Sequence, residues 1–170
     1  MFQTLIASAT VGSGGAASID FSAIPQTYTD LTLVLSARAT STTAAITVAF
    51  NGSSSSFTGR NLIGNGSTVT SATQTTLIGN ACISSNTAST FGNLQLVIPN
   101  YAGSTNKVFS VTTVTENNAT TAFQQLFAGL WSNTAAITQV TLSLANFAEF
   151  STAYLYGTLK GSGGATVTSS

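Results

Sequence analysis

Few side chains in this sequence can take or give a proton, attack a carbon or hold a metal. There is no histidine. That removes the usual general base, the usual zinc ligand and the Ser-His or Cys-His pair of nucleophilic catalysis. The acids are Asp20, Asp30, Glu116 and Glu149, widely spaced along the chain. A glycosidase needs two carboxylates within about 5–10 Å across a cleft, and no local pattern marks such a pair. The plainer expectation is that each acid pairs with one of Arg38, Arg60, Lys107 and Lys160 or caps a turn. No calcium loop of the D-x-D-x-D-G kind is present. The GSGG stretch ending at Gly15 lacks the lysine and the following helix of a phosphate loop. The single cysteine, Cys82, excludes an internal disulfide. Its neighbours Leu77, Ile78 and Ile83 mark it as a buried small hydrophobe, not a reactive thiol. No catalytic, cofactor-binding or metal-binding residue is therefore expected, and the chain reads as a non-enzyme.

Aromatic side chains are the remaining candidates for a binding role. Tyr154 and Tyr156 lie two apart, on one face of a predicted strand, and with Trp131 they are the candidate residues for stacking on a glycan ring. The competing reading is that such aromatics fill a core or an interface. Three glycosylation sequons start at Asn51, Asn65 and Asn118, matches expected by chance in a chain so rich in Asn, Ser and Thr.

The elements that would position these residues read as strands. Leu94, Leu96 and Ile98 alternate with Asn93, Gln95 and Val97 up to Pro99, the period of a strand with one buried face. A polar turn from Asn100 to Asn106 follows, and Phe109 and Val111 restart the alternation. This hairpin within Phe91 to Asn118 is the expected centre of the fold. Further strands are predicted at Phe2–Ala9, Ser18–Phe21, Leu31–Ala39, Ala45–Phe50, Thr75–Ile83, Ile137–Leu144 and Ala153–Leu159. Phe123–Trp131 is apolar at both alternating sets of positions, which predicts a central strand covered on two sides. Asn51 to Ser71, rich in Ser, Gly and Asn, reads as a surface excursion pinned by Phe57, Leu62 and Ile63. The sum is about nine or ten short strands with turns every 8–12 residues. The fold class expected is all-β, an antiparallel β-sandwich of jelly-roll type, as one domain over residues 1–160 with a flexible Gly/Ser/Thr tail over 161–170.

Composition narrows the partners. Charged residues make up 5 % of the 170 positions and the formal net charge is zero, against about 25 % charged residues in an ordinary soluble domain. No basic patch exists to neutralise phosphates, so nucleic acid is not an expected partner. Nor is membrane: no apolar run reaches the ~18–20 residues of a spanning helix, and the aromatic girdles of a membrane barrel are missing. The first residues lack the positive region of a secretory signal, so synthesis and retention in a cytoplasm are expected. A surface this poor in charge does little to keep free monomers apart, which predicts extensive protein contacts and a homo-oligomer.

Several phrases then converge in order: IPQTYTDLTLVLSAR from Ile24, FNG from Phe50, IPNYAGSTNKVFSV from Ile98, TENN from Thr115, AGLWSNTAAIT from Ala128 and FSTAYLYG from Phe150. Together they resemble a small family of β-rich virion structural proteins of tailed bacteriophages, notably cyanophages. The resemblance implies a virion component without enzymatic activity, capsid- or tail-associated, and carries no catalytic motif. The resemblance spans capsid and tail components. Within it, a sandwich with neither a coiled-coil or triple-helical shaft nor a lysozyme-like module is the better match for a capsid decoration (cement) protein on the capsid exterior. The major capsid protein and neighbouring subunits are then the expected partners, with a trimer or dimer as the expected assembly. The alternative the resemblance leaves open is a tail- or fibre-associated adhesion domain for host surface glycan.

Overall fold

The computed structural model describes residues 3–116 and 122–159; the predicted tail, Lys160 and the sequon at Asn118 lie outside them. Among the described residues twelve strands form, all paired antiparallel: β1 (Gln3–Thr10), β2 (Ala16–Phe21), β3 (Asp30–Ala37), β4 (Ala45–Phe50), β5 (Phe57–Gly64), β6 (Val69–Gln74), β7 (Leu77–Asn80), β8 (Gly92–Pro99), β9 (Lys107–Val114), β10 (Gln124–Trp131), β11 (Val140–Phe147) and β12 (Thr152–Thr158). They make an eight-stranded sheet in the order β1-β12-β3-β8-β9-β10-β5-β6 and a four-stranded sheet in the order β2-β11-β4-β7.

The alternation that predicts β8 and β9 is realised. Leu94, Leu96, Ile98, Phe109 and Val111 are all buried, and the two strands pair at the middle of the large sheet. Each such side chain contributes about 1.5–3 kcal/mol by leaving water. Leu31, Leu33 and Leu35 of β3 join the same inner face. The small sheet supplies Ile46, Val48 and Phe50 from β4 and Val140, Leu142 and Leu144 from β11 to one shared core. Phe50 is the bolt between the sheets: its ring centroid lies 5.2 Å from Phe57, 5.4 Å from Phe109 and 5.5 Å from Trp131, the last two edge-on. Such pairs contribute roughly 0.5–1.5 kcal/mol each beyond area burial. The large-sheet rings fit because Gly59 and Gly129, directly paired across β5 and β10, leave room: a Cβ on Gly129 would stand 2.3 Å from the Phe109 ring.

Two strand expectations are corrected. The Ser- and Gly-rich stretch predicted as a surface excursion is the strand β5, its turn and the start of β6, extending the large sheet beyond β10. Pairing to β10 and burial of Phe57 and Asn61 hold it, while Leu62 points to solvent. And β10 is interior to its sheet but covered on one side only. Gln125, Phe127 and Trp131 are buried; Leu126 and Ala128 are exposed. The strand count is twelve where about nine or ten are predicted, because β5, β6 and the break between β6 and β7 carry too little apolar alternation to be seen.

Candidate functional site

The four acids do not assemble. Asp20 lies on β2 of the small sheet, where its carboxylate accepts from Gln139 Nε2 at 2.9 Å and Thr141 Oγ1 at 2.6 Å. Asp30 opens β3 of the large sheet and accepts the Asn100 amide at 2.9 Å, capping the β8–β9 turn. Glu116 follows β9, beside a depression in which it is the one acid among the lining residues, and Glu149 lies in the β11–β12 turn. Among the described residues no cluster of three or more His, Cys, Asp or Glu could hold a metal, and no helix is long and apolar enough to cross a membrane.

The expected partnering of charges takes a different form at Lys107 and Arg38. Lys107 is 1 % exposed. Its ammonium donates to the carbonyls of Gly103 (2.7 Å) and Thr105, with Thr134 O at 3.5 Å. Burial lowers its pKa from the ordinary lysine value. Arg38 spreads its guanidinium over the carbonyls of Ser84, Asn86, Thr87 and Thr90, at 2.9–3.1 Å, and ties that loop to the end of β3. Both cations act as donors for loop carbonyls that converge on them. Cys82 is fully buried and unpaired, and burial raises its pKa, the condition of an unreactive thiol.

Parts of five of the six phrases that carry the resemblance meet at one end of the molecule. Tyr101 is buried, its hydroxyl donates to Pro25 O and burial raises its pKa; its own carbonyl accepts from the Ile137 amide at 3.0 Å. Gln26 Nε2 bridges the carbonyls of Ile24 and Ile137. Asn51, at φ +52°, donates to Ala136 O and accepts from the amides of Thr138 and Gln139. The Tyr28 ring lies over Gly157, where a Cβ would stand 2.3 Å from it. These residues knot four sequence-distant loops together.

The surface with the character of a site is the outer face of the eight-stranded sheet. Of the nine large apolar side chains exposed among the described residues, seven lie on it: Leu5, Val34, Leu62, Val69, Val108, Leu126 and Tyr154. One cross-strand row runs Tyr154–Val34–Gln95 and on to Thr112–Leu126–Leu62–Ser71; the neighbouring row carries Tyr156, Thr32, Val97, Ser110, Ala128, Arg60 and Thr73. Among the described residues, Arg60 and, at the rims, Asp30 and Glu116 are the charged residues on this face. Eight strands about 4.8 Å apart and about eight residues long give roughly 1,000 Å² of face. That matches the ~800 Å² per partner of a stable interface.

Tyr154 and Tyr156 do share this face, Tyr154 at 37 % exposure and Tyr156 half-buried. Trp131 does not join them. At 1 % exposure, within the Phe50–Phe57 cluster, it has no surface for a sugar, and its candidacy is corrected to core. Alternation in β12 makes the tyrosine pair legible in sequence; the apolar outer positions of β10 were equally visible there but read as buried. No family model, curated protein or solved structure matches this chain.

Proposed function

We propose that this protein is a structural subunit of a tailed-phage virion: a capsid decoration protein that binds the major capsid protein and stabilises the head. The observation that carries the reading is the outer face of the large sheet, wide enough for a stable interface and almost without charge. Large apolar patches on that scale mark contact sites. Weak charge removes desolvation cost and salt sensitivity from such a contact. A head under genome pressure needs added buried area and stiffness, which a β scaffold with interlocked loops supplies. The sequence resemblance supports the same assignment.

Topology supports reading the fold as a jelly roll with two insertions. Setting aside β5, β6, β9 and β10 leaves β1-β12-β3-β8 facing β2-β11-β4-β7. In chain order these are first–eighth–third–sixth and second–seventh–fourth–fifth, the nested order of a double Greek key. Capsid proteins use that architecture, as do lectins, so fold analogy alone does not choose between them.

Quantitative mass spectrometry of particles tests the assignment. Hundreds of copies per particle are expected, and a dozen or fewer would rule out head decoration. The alternative, a tail or fibre adhesion domain, is favoured by the Tyr154–Tyr156 pair on the open face. It requires glycan-array binding that disappears on Tyr154→Ala; array silence together with head localisation would remove it.

A further inference from the structure

Among the described residues, the large sheet ends in a strand, β6, that no further strand flanks and that carries nothing to keep a neighbour away. Natural edge strands are blunted by charge, proline, bulges or shortness. The other three edges show such devices: β1 has a register break between Leu5 and Ala7, β2 carries Asp20, and β7 spans four residues with a register break in its pairing. β6, VTSATQ, has none. It carries no charge and no proline, its pairing with β5 is unbroken, and Val69 at its start is 70 % exposed.

Its open hydrogen-bonding groups can be assigned. The Asn65 amide donates to Thr68 O across the β5–β6 turn, and the Ala72 amide donates to Asn61 Oδ1. Thr70, Ala72 and Gln74 therefore direct their backbone groups towards β5. By alternation, Val69, Ser71 and Thr73 present N–H and C=O to the open side.

We propose that β6 pairs with β6 of a second copy, antiparallel about a two-fold axis through Ser71, fusing two eight-stranded sheets into one. Side chains at Val69, Ser71 and Thr73 lie on the outer face, so a two-fold axis perpendicular to the sheet must match these positions with one another. The register centred on Ser71 does so completely. Ser71 meets its counterpart, Val69 meets Thr73 at each end, and about six hydrogen bonds satisfy every outward group of both strands. Shifting the centre to Ala72 moves Val69 opposite Thr75, beyond the strand end, and loses part of that set. Charge does not oppose the contact: Arg60, opposite Thr73 on β5, would lie about 20 Å from its symmetry mate, beyond the ~8–10 Å screening length. A second copy is the fitting occupant because an isologous edge is complementary to itself. The edge alone buries less than a standard interface, so the pairing is concentration-dependent in solution and strengthened where copies are held side by side.

Sedimentation of the full chain over a wide concentration range tests this, with four variants. Expected is a monomer–dimer equilibrium in which amides of Val69, Ser71 and Thr73 gain exchange protection as dimer forms. Ser71→Pro, which removes an outward amide and leaves the β5 ladder intact, should abolish the dimer while keeping the circular dichroism spectrum. Ser71→Lys, which sets like charges face to face at the axis, should weaken it by roughly 2- to 5-fold. A short bifunctional thiol reagent should join Ser71→Cys chains, whose positions would lie ~5.5 Å apart, and not Thr73→Cys chains, at about 14 Å. A monomer at all concentrations overturns the pairing, as does a dimer unaffected by Ser71→Pro and Ser71→Lys, or equal linking at both cysteine positions. The pairing does not depend on the virion assignment: loss of either leaves the other standing.

Discussion

Replacing Lys107 by methionine separates what its ammonium does from what its stem does. Lys107 lies on the inner face of β9 and is buried, and methionine keeps the length and flexibility of the stem. What goes is the donor to the Gly103 and Thr105 carbonyls and the long contact to Thr134. Hydrogen bonds to a charged group contribute about 1.5–3 kcal/mol each. Removing the buried charge returns part of that, because a desolvated ammonium carries its own cost. The net expectation is a loss of about 1–3 kcal/mol. At roughly 2–4 °C per kcal/mol for a chain of this size, the melting midpoint falls by about 2–12 °C. Amide exchange should rise in the 103–105 turn and near Thr134. A variant within about 0.5 kcal/mol of the parent, the scatter of an ordinary surface substitution, would refute the idea that Lys107 holds these loops.

The pH dependence of the same pair of proteins has a definite sign. Burial lowers the Lys107 pKa from 10.5. Below the lowered folded value the charging penalty is present in full. Between that value and 10.5 the unfolded chain holds a proton that the folded chain has shed, so stability rises with pH; above 10.5 the penalty is gone. The parent should gain on Lys107→Met across that window in chemical denaturation. A gap that narrows there would mean that the carbonyl bonds to the charged form outweigh its desolvation.

Three further outcomes follow. Gly129→Ala places a Cβ 2.3 Å from the Phe109 ring and 2.6 Å from Phe127, and should cost about 1–3 kcal/mol in urea unfolding; a neutral result would mean the rings can slide. Thr113 Oγ1 is buried without a hydrogen-bond partner, so Thr113→Val should leave stability unchanged or raise it by about 1 kcal/mol, with a clear loss pointing to an ordered water at that position. Cys82, buried with a raised pKa, should resist thiol reagents until the chain unfolds; labelling at the rate of a free thiol would place it in an opening segment.

How much of this was legible depends on whether one face of a strand is wet. The β3, β8, β9 and β11 patterns could be read because apolar and polar positions alternate and one side meets the core. β6 could not, since each of its residues from Val69 to Thr73 is exposed and no alternation exists to detect. β5 was hidden by Gly59, Asn61 and Gly64, whose places are set by β10 and by the Phe127 ring. β10 misled in the opposite direction. Its apolar outer positions Leu126 and Leu130 read as a second buried side, and sequence cannot separate burial within a chain from burial between chains. Trp131 shares that ambiguity. The carbonyl cradles of Lys107 and Arg38 had no signal at all, because backbone acceptors are present at every residue and only the fold says which converge.

The placement of the last two strands has a consequence for biogenesis. β11 sits between β2 and β4, and β12 between β1 and β3, so each sheet stays split until the end of the chain arrives. A nascent polypeptide stopped before Val140 has two gaps to fill and no complete layer to shelter its Leu- and Phe-rich sides. Such far-apart pairings make slow folders, and the unfinished intermediate exposes strand edges to every neighbour. Ribosome-bound chains should therefore stay protease-sensitive until β12 has emerged and acquire resistance in one step after that.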